Sequence, residues 1–195
     1  MIRSCVLLVI TCIGISACQL RRPKVTPTRM IEPQLLDPQL ATPETEVAKN
    51  SNAAAVRLLD TQALGHIGRP VLHQQPDGEL TEDSVWRWSS RPDRYLDLAI
   101  RLEAAQSPDL RLVDSGRASP LAATLLVWDI ESTGGTQLVG AVEFQITSTD
   151  GVVNTKVVRA SEPVSAELPG NLPAAAGRLL RRLASEGLMF VISKR

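Results

Sequence analysis

The sequence predicts an α+β fold in which two helices pack on a largely antiparallel sheet to form a two-layer sandwich. Two long segments carry apolar residues at helical spacing, and several shorter segments alternate apolar and polar residues, as half-exposed antiparallel strands do. Hydrophobic residues make up 44% of the chain and aromatic residues only 3%. Aliphatic side chains must therefore form most of the core.

The predicted strands follow the alternation pattern and the turn residues between them. In the first half of the chain we expect three strands, at Ala54–Leu59, Pro70–Gln74 and Val85–Trp88. In the second half we expect a three-strand meander, at Leu121–Ile130, Leu138–Thr147 and Val152–Arg159. Asp150-Gly151 is a strong hairpin signal within this meander. The continuous apolar run Leu188–Ile192 is predicted to be a buried final strand.

The two predicted helices have recognisable ends. Ser90 can cap the first helix, Pro92 suits its first turn, and the helix is expected to end near Gln106. The second helix is predicted over Leu172–Ser185, where leucines recur at helical spacing. Gly187 is interpreted as the residue that ends it, because glycine commonly follows a helix C-terminus.

Residues 1–17 have the layout of a secretory signal peptide. A short start containing Arg3 precedes an apolar stretch from Cys5 to Ile15. Because Ile15-Ser16-Ala17-Cys18 resembles a bacterial lipobox, we expect Cys18 to become the first mature residue and to carry the lipid. The apolar stretch is shorter than the about 20 residues of a transmembrane helix. A plain cleaved signal and an uncleaved anchor are the alternatives.

The residues around the lipobox also bear on localisation and stability. By resemblance to known lipoproteins, Gln19 rather than Asp after the lipidated cysteine predicts an outer-membrane lipoprotein that faces the periplasm. The chain has three cysteines, Cys5, Cys12 and Cys18, and all of them lie in the predicted signal peptide or directly after it. The exported domain is therefore expected to contain no disulfide, so packing alone must stabilise it.

Residues 18–52 are predicted to form a lipidated, proline-rich tether, and residues 53–193 a folded domain. Five prolines recur between Pro23 and Pro43, where they remove backbone donors and favour extended structure. We interpret this segment as a spacer that lifts the domain from the bilayer; disordered sequence without a role is the alternative. Ordered structure is expected to begin near Ala53.

One segment carries a family resemblance. The octapeptide Val85-Trp86-Arg87-Trp88-Ser89-Ser90-Arg91-Pro92 leads directly into a helix with Tyr95, Leu98 and Leu102 on one face. Together with the lipobox and the order of elements, this arrangement resembles the ABC-type transport auxiliary lipoproteins. The resemblance implies a non-enzymatic lipoprotein that docks with the MCE-domain component of an envelope lipid transporter, whose permease and ATPase are separate chains. The alternative is another outer-membrane assembly lipoprotein, similar to the lipopolysaccharide-assembly lipoproteins.

The candidate partner-binding residues are two tryptophans and three arginines, because both residue types are favoured at protein interfaces: Trp86, Arg87, Trp88, Arg181 and Arg182. A core position is the alternative for the tryptophans, and a solvated helix face is the alternative for Arg181 and Arg182.

Other chemistry finds little support in the sequence. The chain contains no G-x-x-x-x-G-K-[ST] loop and no G-x-S-x-G elbow, the motifs of phosphate binding and serine hydrolysis. His66 and His73 match no standard zinc spacing, so no metal and no cofactor are expected. Lys and Arg equal Asp and Glu at 21 each, so no nucleic-acid partner is expected.

Overall fold

The computed structural model describes residues 27–35, 50, 52–116 and 118–194. Within these residues it contains two helices and nine strands, which form one mixed sheet. The elements are β1 (Arg29–Ile31), β2 (Ala54–Leu58), β3 (Gln62–Ala63), β4 (Pro70–Gln74), β5 (Leu80–Trp88), α1 (Pro92–Gln106), β6 (Leu110–Leu112), β7 (Ser119–Glu131), β8 (Gln137–Thr147), β9 (Val153–Pro163) and α2 (Leu172–Ser193). The predicted α+β sandwich is confirmed.

Strand β7 organises the sheet because both of its edges pair with other strands. Along one edge it pairs antiparallel with β8, which in turn pairs antiparallel with β9. Along the other edge it pairs in succession with β2, β3 and β4, all parallel. Strand β6 extends the sheet beyond β2, and β5 followed by β1 extends it beyond β4. Strands β1 and β9 therefore lie at opposite edges.

A bulge in β7 decides which of its side chains enter the core. The register with β8 shifts between Leu125 and Val127. Before the shift Leu121 and Leu125 are buried against the helices, and after it Trp128 and Ile130 are buried in the same cluster. The extra residue resets the alternation, which allows one long strand to serve the core under both helices.

Both helices cover one face of the sheet. The residues shared by the helices and the strands form a single buried cluster. Its largest members include Trp88, Trp128, Phe144, Leu96, Ile100 and Leu172. Gly140 of β8 lies directly beneath α2, where a Cβ atom would be 2.8 Å from Leu183 Cδ1. Neither helix of the described residues is long and apolar enough to cross a bilayer.

The predicted final strand at Leu188–Ile192 is wrong, because α2 continues to Ser193. Gly187 does not end the helix; it lies inside it, and a Cβ atom there would overlap the ring of Phe144. Leu188 and Val191 are buried and extend the apolar stripe of α2. A glycine that permits close packing and a glycine that ends a helix look the same in a sequence.

The expectation that ordered structure begins near Ala53 is also wrong. Strand β1, within the predicted tether, pairs in parallel with β5. Ile31 and Leu35 are buried in the core, and the Gln34 amide donates to the Pro173 carbonyl of α2 at 2.9 Å. The described residues 27–35 therefore belong to the domain. Residues 36–49, and Cys18 with the predicted signal peptide, lie outside the described residues.

The contact at Gly187 predicts a specific stability change. Gly187→Ala is expected to lower the free energy of unfolding by about 1–3 kcal/mol, because the added methyl group overpacks the site against Phe144. An uncrowded helical glycine would give the opposite sign, since alanine is favoured there by about 1 kcal/mol. Urea denaturation followed by circular dichroism measures the difference.

The matched control is Gly65→Ala. Nothing lies within 4 Å of a Cβ atom at Gly65, so this variant should stay within about 0.5 kcal/mol of the parent chain. A Gly187→Ala variant that is more stable than the parent chain would contradict the close packing of α2 on β8.

Candidate functional site

The two tryptophans of the predicted contact segment have different environments. Trp88 is 1% exposed, and its ring centroid lies 5.6 Å from that of Trp128 at an angle of 54°. The buried indole N–H groups of both rings have no partner among the described residues. Trp88 is therefore a core residue, which was the alternative that the sequence left open.

Trp86 is only partly buried and borders the surface near the β1 edge of the sheet. It is the register partner of Arg29 on β1, and the Arg29 guanidinium carbon lies 5.4 Å from the centroid of the Trp86 ring. A cation over an aromatic face at this distance is attracted by the ring quadrupole. Pairing of β1 with β5 thus places an arginine and an indole together at the surface.

Three further residues join this pair, and together the five form the edge cluster: Arg29, Met30, Arg69, Trp86 and Arg87. Arg69 Nη2 lies 3.5 Å from the Met30 sulfur, and Arg69 Nε donates to the Trp88 carbonyl at 3.1 Å. Arg87 Nη1 donates to the Trp86 carbonyl at 3.0 Å. Met30 is 55% exposed. The cluster combines three guanidinium groups with two apolar side chains.

The arginines of the edge cluster make little ion-pair contact with carboxylates, although the exposed Glu32 directly follows β1. Among the described residues, the one carboxylate in ion-pair contact with its arginines is that of Glu82, whose Oε2 lies 3.9 Å from Arg87 Nη2. That contact is long, and the Glu82 side chain is mostly exposed, so it offsets little of the local charge. The cluster is therefore a cationic surface with exposed apolar atoms.

Asp83 holds the backbone that presents Trp86. Its Oδ1 accepts hydrogen bonds from the amides of Val85 at 2.8 Å and Trp86 at 2.7 Å, and its Oδ2 lies 3.2 Å from His73 Nε2. Burial works to raise the pKa of Asp83, but the amide groups and His73 outweigh it and hold that pKa below its usual value. An ionised Asp83 thus fixes this part of β5.

The structure does not bring Arg181 and Arg182 to the edge cluster. Arg181 Nε donates to Glu103 Oε1 at 2.8 Å in a partly buried ion pair that ties α2 to α1. Arg182 is exposed and pairs with Glu186 on its own helix at 3.0 Å. It borders a cavity of about 330 Å³ shared with Arg159 of β9. Of the five predicted contact residues, Trp86 and Arg87 alone lie at the surface near the β1 edge of the sheet, where they project to opposite faces of β5.

Strand β9 presents a second surface that the sequence reasoning did not single out. It contains 11 residues and pairs with β8 on one side, while no described strand pairs with its other side. Val153 and Val157, on the face away from the helices, are 57% and 53% exposed. Such a long edge strand with exposed apolar side chains is suited to pairing with another chain. Two valines on the solvated face of the meander were the available signal.

Asp129 is a buried carboxyl group that the sequence reasoning also missed. It is 5% exposed, and its Oδ1 has no partner among the described residues. Burial, reinforced by the charge of Glu131, raises the pKa of Asp129 to about 6, although Arg159 and His66 act in the opposite direction. Polar residues on a strand with alternating burial normally face water, so the pattern gave no signal of this burial.

The two histidines do not lie in a cluster of metal ligands within the described part of the chain. His73 contacts Asp83, whereas His66 is exposed. In the described ranges, no group of three or more histidine, cysteine or acidic side chains is placed to hold a metal ion.

The raised pKa of Asp129 predicts a pH dependence of stability. Because ionisation is disfavoured in the folded state, Asp129 reduces stability above about pH 6. That cost disappears as the pH falls toward about 4, the pKa of the same carboxyl group in the unfolded chain. Asp129→Asn cannot ionise, so it should raise the free energy of unfolding by about 1–3 kcal/mol near pH 8. The gain should vanish near pH 4.

Denaturant titrations of the parent protein and the Asp129→Asn variant at several pH values measure this effect. The control is Asp150→Asn, since a hydrogen bond from Ser148 lowers the pKa of the exposed Asp150. This control should bring no gain in stability near neutral pH. An Asp129→Asn variant with a pH profile parallel to that of the parent chain would contradict the assignment.

Comparison with known proteins identifies the fold. No protein-family model and no curated protein matches the sequence. The crystal structure of a Xanthomonas campestris protein described as DUF330 is similar with a TM-score of 0.64 and 15% identity, covering 85% of this chain and 97% of that chain. An uncharacterized protein is similar with a TM-score of 0.58 and 14% identity, covering 73% and 92%.

A minor lipoprotein from Acinetobacter baumannii is more distant, with a TM-score of 0.41 and 12% identity over 72% of this chain and 94% of that chain. This similarity is too low to support an argument. At the identities of the first two structures, the likeness shows a shared fold and leaves the chemistry to the residues of this chain.

Proposed function

We propose that this chain is a non-enzymatic, lipid-anchored module of an envelope transport system of the ABC and MCE type. The observation that carries the proposal is the lipobox ending at Cys18, placed eleven positions before the first strand of a domain with the DUF330-like fold. An acylated Cys18 would hold the domain at the outer membrane on its periplasmic side. The polar pairs of the site, His73–Asp83 and Arg181–Glu103, connect elements of the fold, and we assign them no catalytic step.

The positions of the two sheet edges support such a role. Strand β1, the first strand after the anchor point, lies at one edge, and β9 lies at the opposite edge. The path between them runs through β5, β4, β7 and β8, which at about 4.8 Å per strand separates the two edges by about 24 Å. A domain held through its β1 end therefore presents β9 away from its anchor.

The free edge of β9 is the surface we propose for the protein partner. Its unpaired backbone groups can accept an added strand, and Val153 and Val157 supply apolar contacts beside it. By the family resemblance, the partner is the substrate-binding MCE-domain component, with the permease and ATPase joined through it. This assignment moves the contact from the predicted tryptophan segment to the opposite edge of the sheet.

Site-directed photo-crosslinking in cells tests the proposal. A photoreactive amino acid at Val157 of the full-length chain should crosslink to an MCE-domain protein, and Val153→Lys should lower that yield about tenfold by placing a charge in the interface. The same photoreactive group at Leu98 of α1, which is 46% exposed, is the matched control and should give no such product.

Two results would contradict the proposed partner. Equal crosslinking from Val157 and Leu98 would show that β9 is not the contact surface. A crosslinked product with a large outer-membrane β-barrel would instead favour the alternative class, the lipopolysaccharide-assembly lipoproteins.

A further inference from the structure

We propose that the edge cluster binds the anionic phospholipid headgroups of the membrane that holds the anchor, and so fixes the orientation of the domain on that membrane. The inference rests on the lipid attachment at Cys18 in the proposed function. It adds a second, reversible contact made by the folded domain itself. It is supported by the position of β1, by the arginines that have few carboxylate partners and by the exposed apolar side chains beside them.

The length of chain before β1 keeps the edge cluster near the bilayer. Eleven peptide units connect Cys18 to Arg29, with ten residues between the two. Fully extended they reach at most about 40 Å, and a flexible chain of this length averages about 20 Å from end to end. The spacer expected from the sequence, which ran to residue 52, would have allowed a much larger separation. Because Arg29 begins β1, the cluster lies where the chain leaves the membrane.

The charges of the cluster suit phosphate groups. Arg29 lies over Trp86 on one face of the β1 edge, while Arg87 is the register partner of Met30 on the other face and Arg69 contacts Met30. The three arginines therefore follow the same sheet edge, and Glu82 is the one described carboxylate in ion-pair contact with them. Guanidinium groups bind phosphate oxygens through paired hydrogen bonds.

The apolar members of the cluster suit the boundary between headgroups and acyl chains. Met30 is largely exposed, and Trp86 has one side on the core and another at the surface. Indole rings favour this boundary because they combine an apolar body with a polar N–H group. Arginine beside tryptophan and methionine at one edge is therefore typical of a surface that binds an anionic bilayer.

Tryptophan fluorescence of the full-length, acylated protein in vesicles tests the inference. Quenching by a lipid with a nitroxide on its headgroup should be strong in vesicles of phosphatidylethanolamine and phosphatidylglycerol and weak in phosphatidylcholine alone. The Trp86→Phe variant measures the background from buried Trp88 and Trp128. High salt should reverse the quenching while flotation shows that the protein stays on the vesicles, because salt screens the arginines and not the acyl anchor.

Matched double variants locate the contact. Arg29→Gln with Arg87→Gln should shift the docking equilibrium about thirtyfold toward the undocked domain, or about fivefold for each arginine. Arg57→Gln with Arg111→Gln removes two exposed arginines from β2 and β6, and this pair should change docking less than about twofold.

The outcomes separate this inference from the proposed function. Acylated protein whose Trp86 is not quenched on anionic vesicles, or quenching that the two double variants reduce equally, overturns the headgroup contact and leaves the anchor intact. A change in Trp86 fluorescence that appears only when a protein partner is added also overturns it. Mass spectrometry that finds an unmodified Cys18 overturns the anchor, and with it this inference.

Discussion

The packing of the domain follows from the close approach of α2 to β8 and to residues 33–35. Three glycines make it possible, because each omits a side chain where a Cβ atom would collide. Gly140 receives the leucines of α2 on β8, Gly187 faces the ring of Phe144, and Gly177 faces the carbonyl of Gln34. A helix held further from the sheet would leave the leucine stripe poorly packed, since protein interiors tolerate few voids.

From this contact the surface features follow in sequence. The seated helix holds residues 33–35 through the Gln34–Pro173 hydrogen bond, and this places β1 beside β5 at the sheet edge. Pairing of β1 with β5 then sets Arg29 over Trp86. The position of the chain's N-terminal entry into the domain is therefore a consequence of packing by α2, and the opposite edge remains available to a partner.

Side-chain alternation predicted more of the fold than of the site. Trp86 and Trp88 lie on the same face of β5, yet one ring is in the core and the other borders the surface. The difference arises because Trp88 lies over Trp128 of β7, whereas Trp86 lies toward the outer strand β1. Alternation reports which side a residue faces, but not whether anything covers that side. The helical pattern likewise gave no sign that Arg181 pairs with Glu103 on the other helix.

Local sequence patterns were sufficient to predict the α+β class, the meander and the existence of both helices, because each depends on residues close together in the chain; the cap of α1 is Arg91, one residue after the predicted Ser90. The tertiary structure decided the role of Gly187, the inclusion of β1 in the sheet, the burial of Asp129 and the separation of the two edges. Each of these depends on contacts between residues distant in sequence. A glycine, a three-residue strand or a single carboxylate acquires its meaning only from what packs against it.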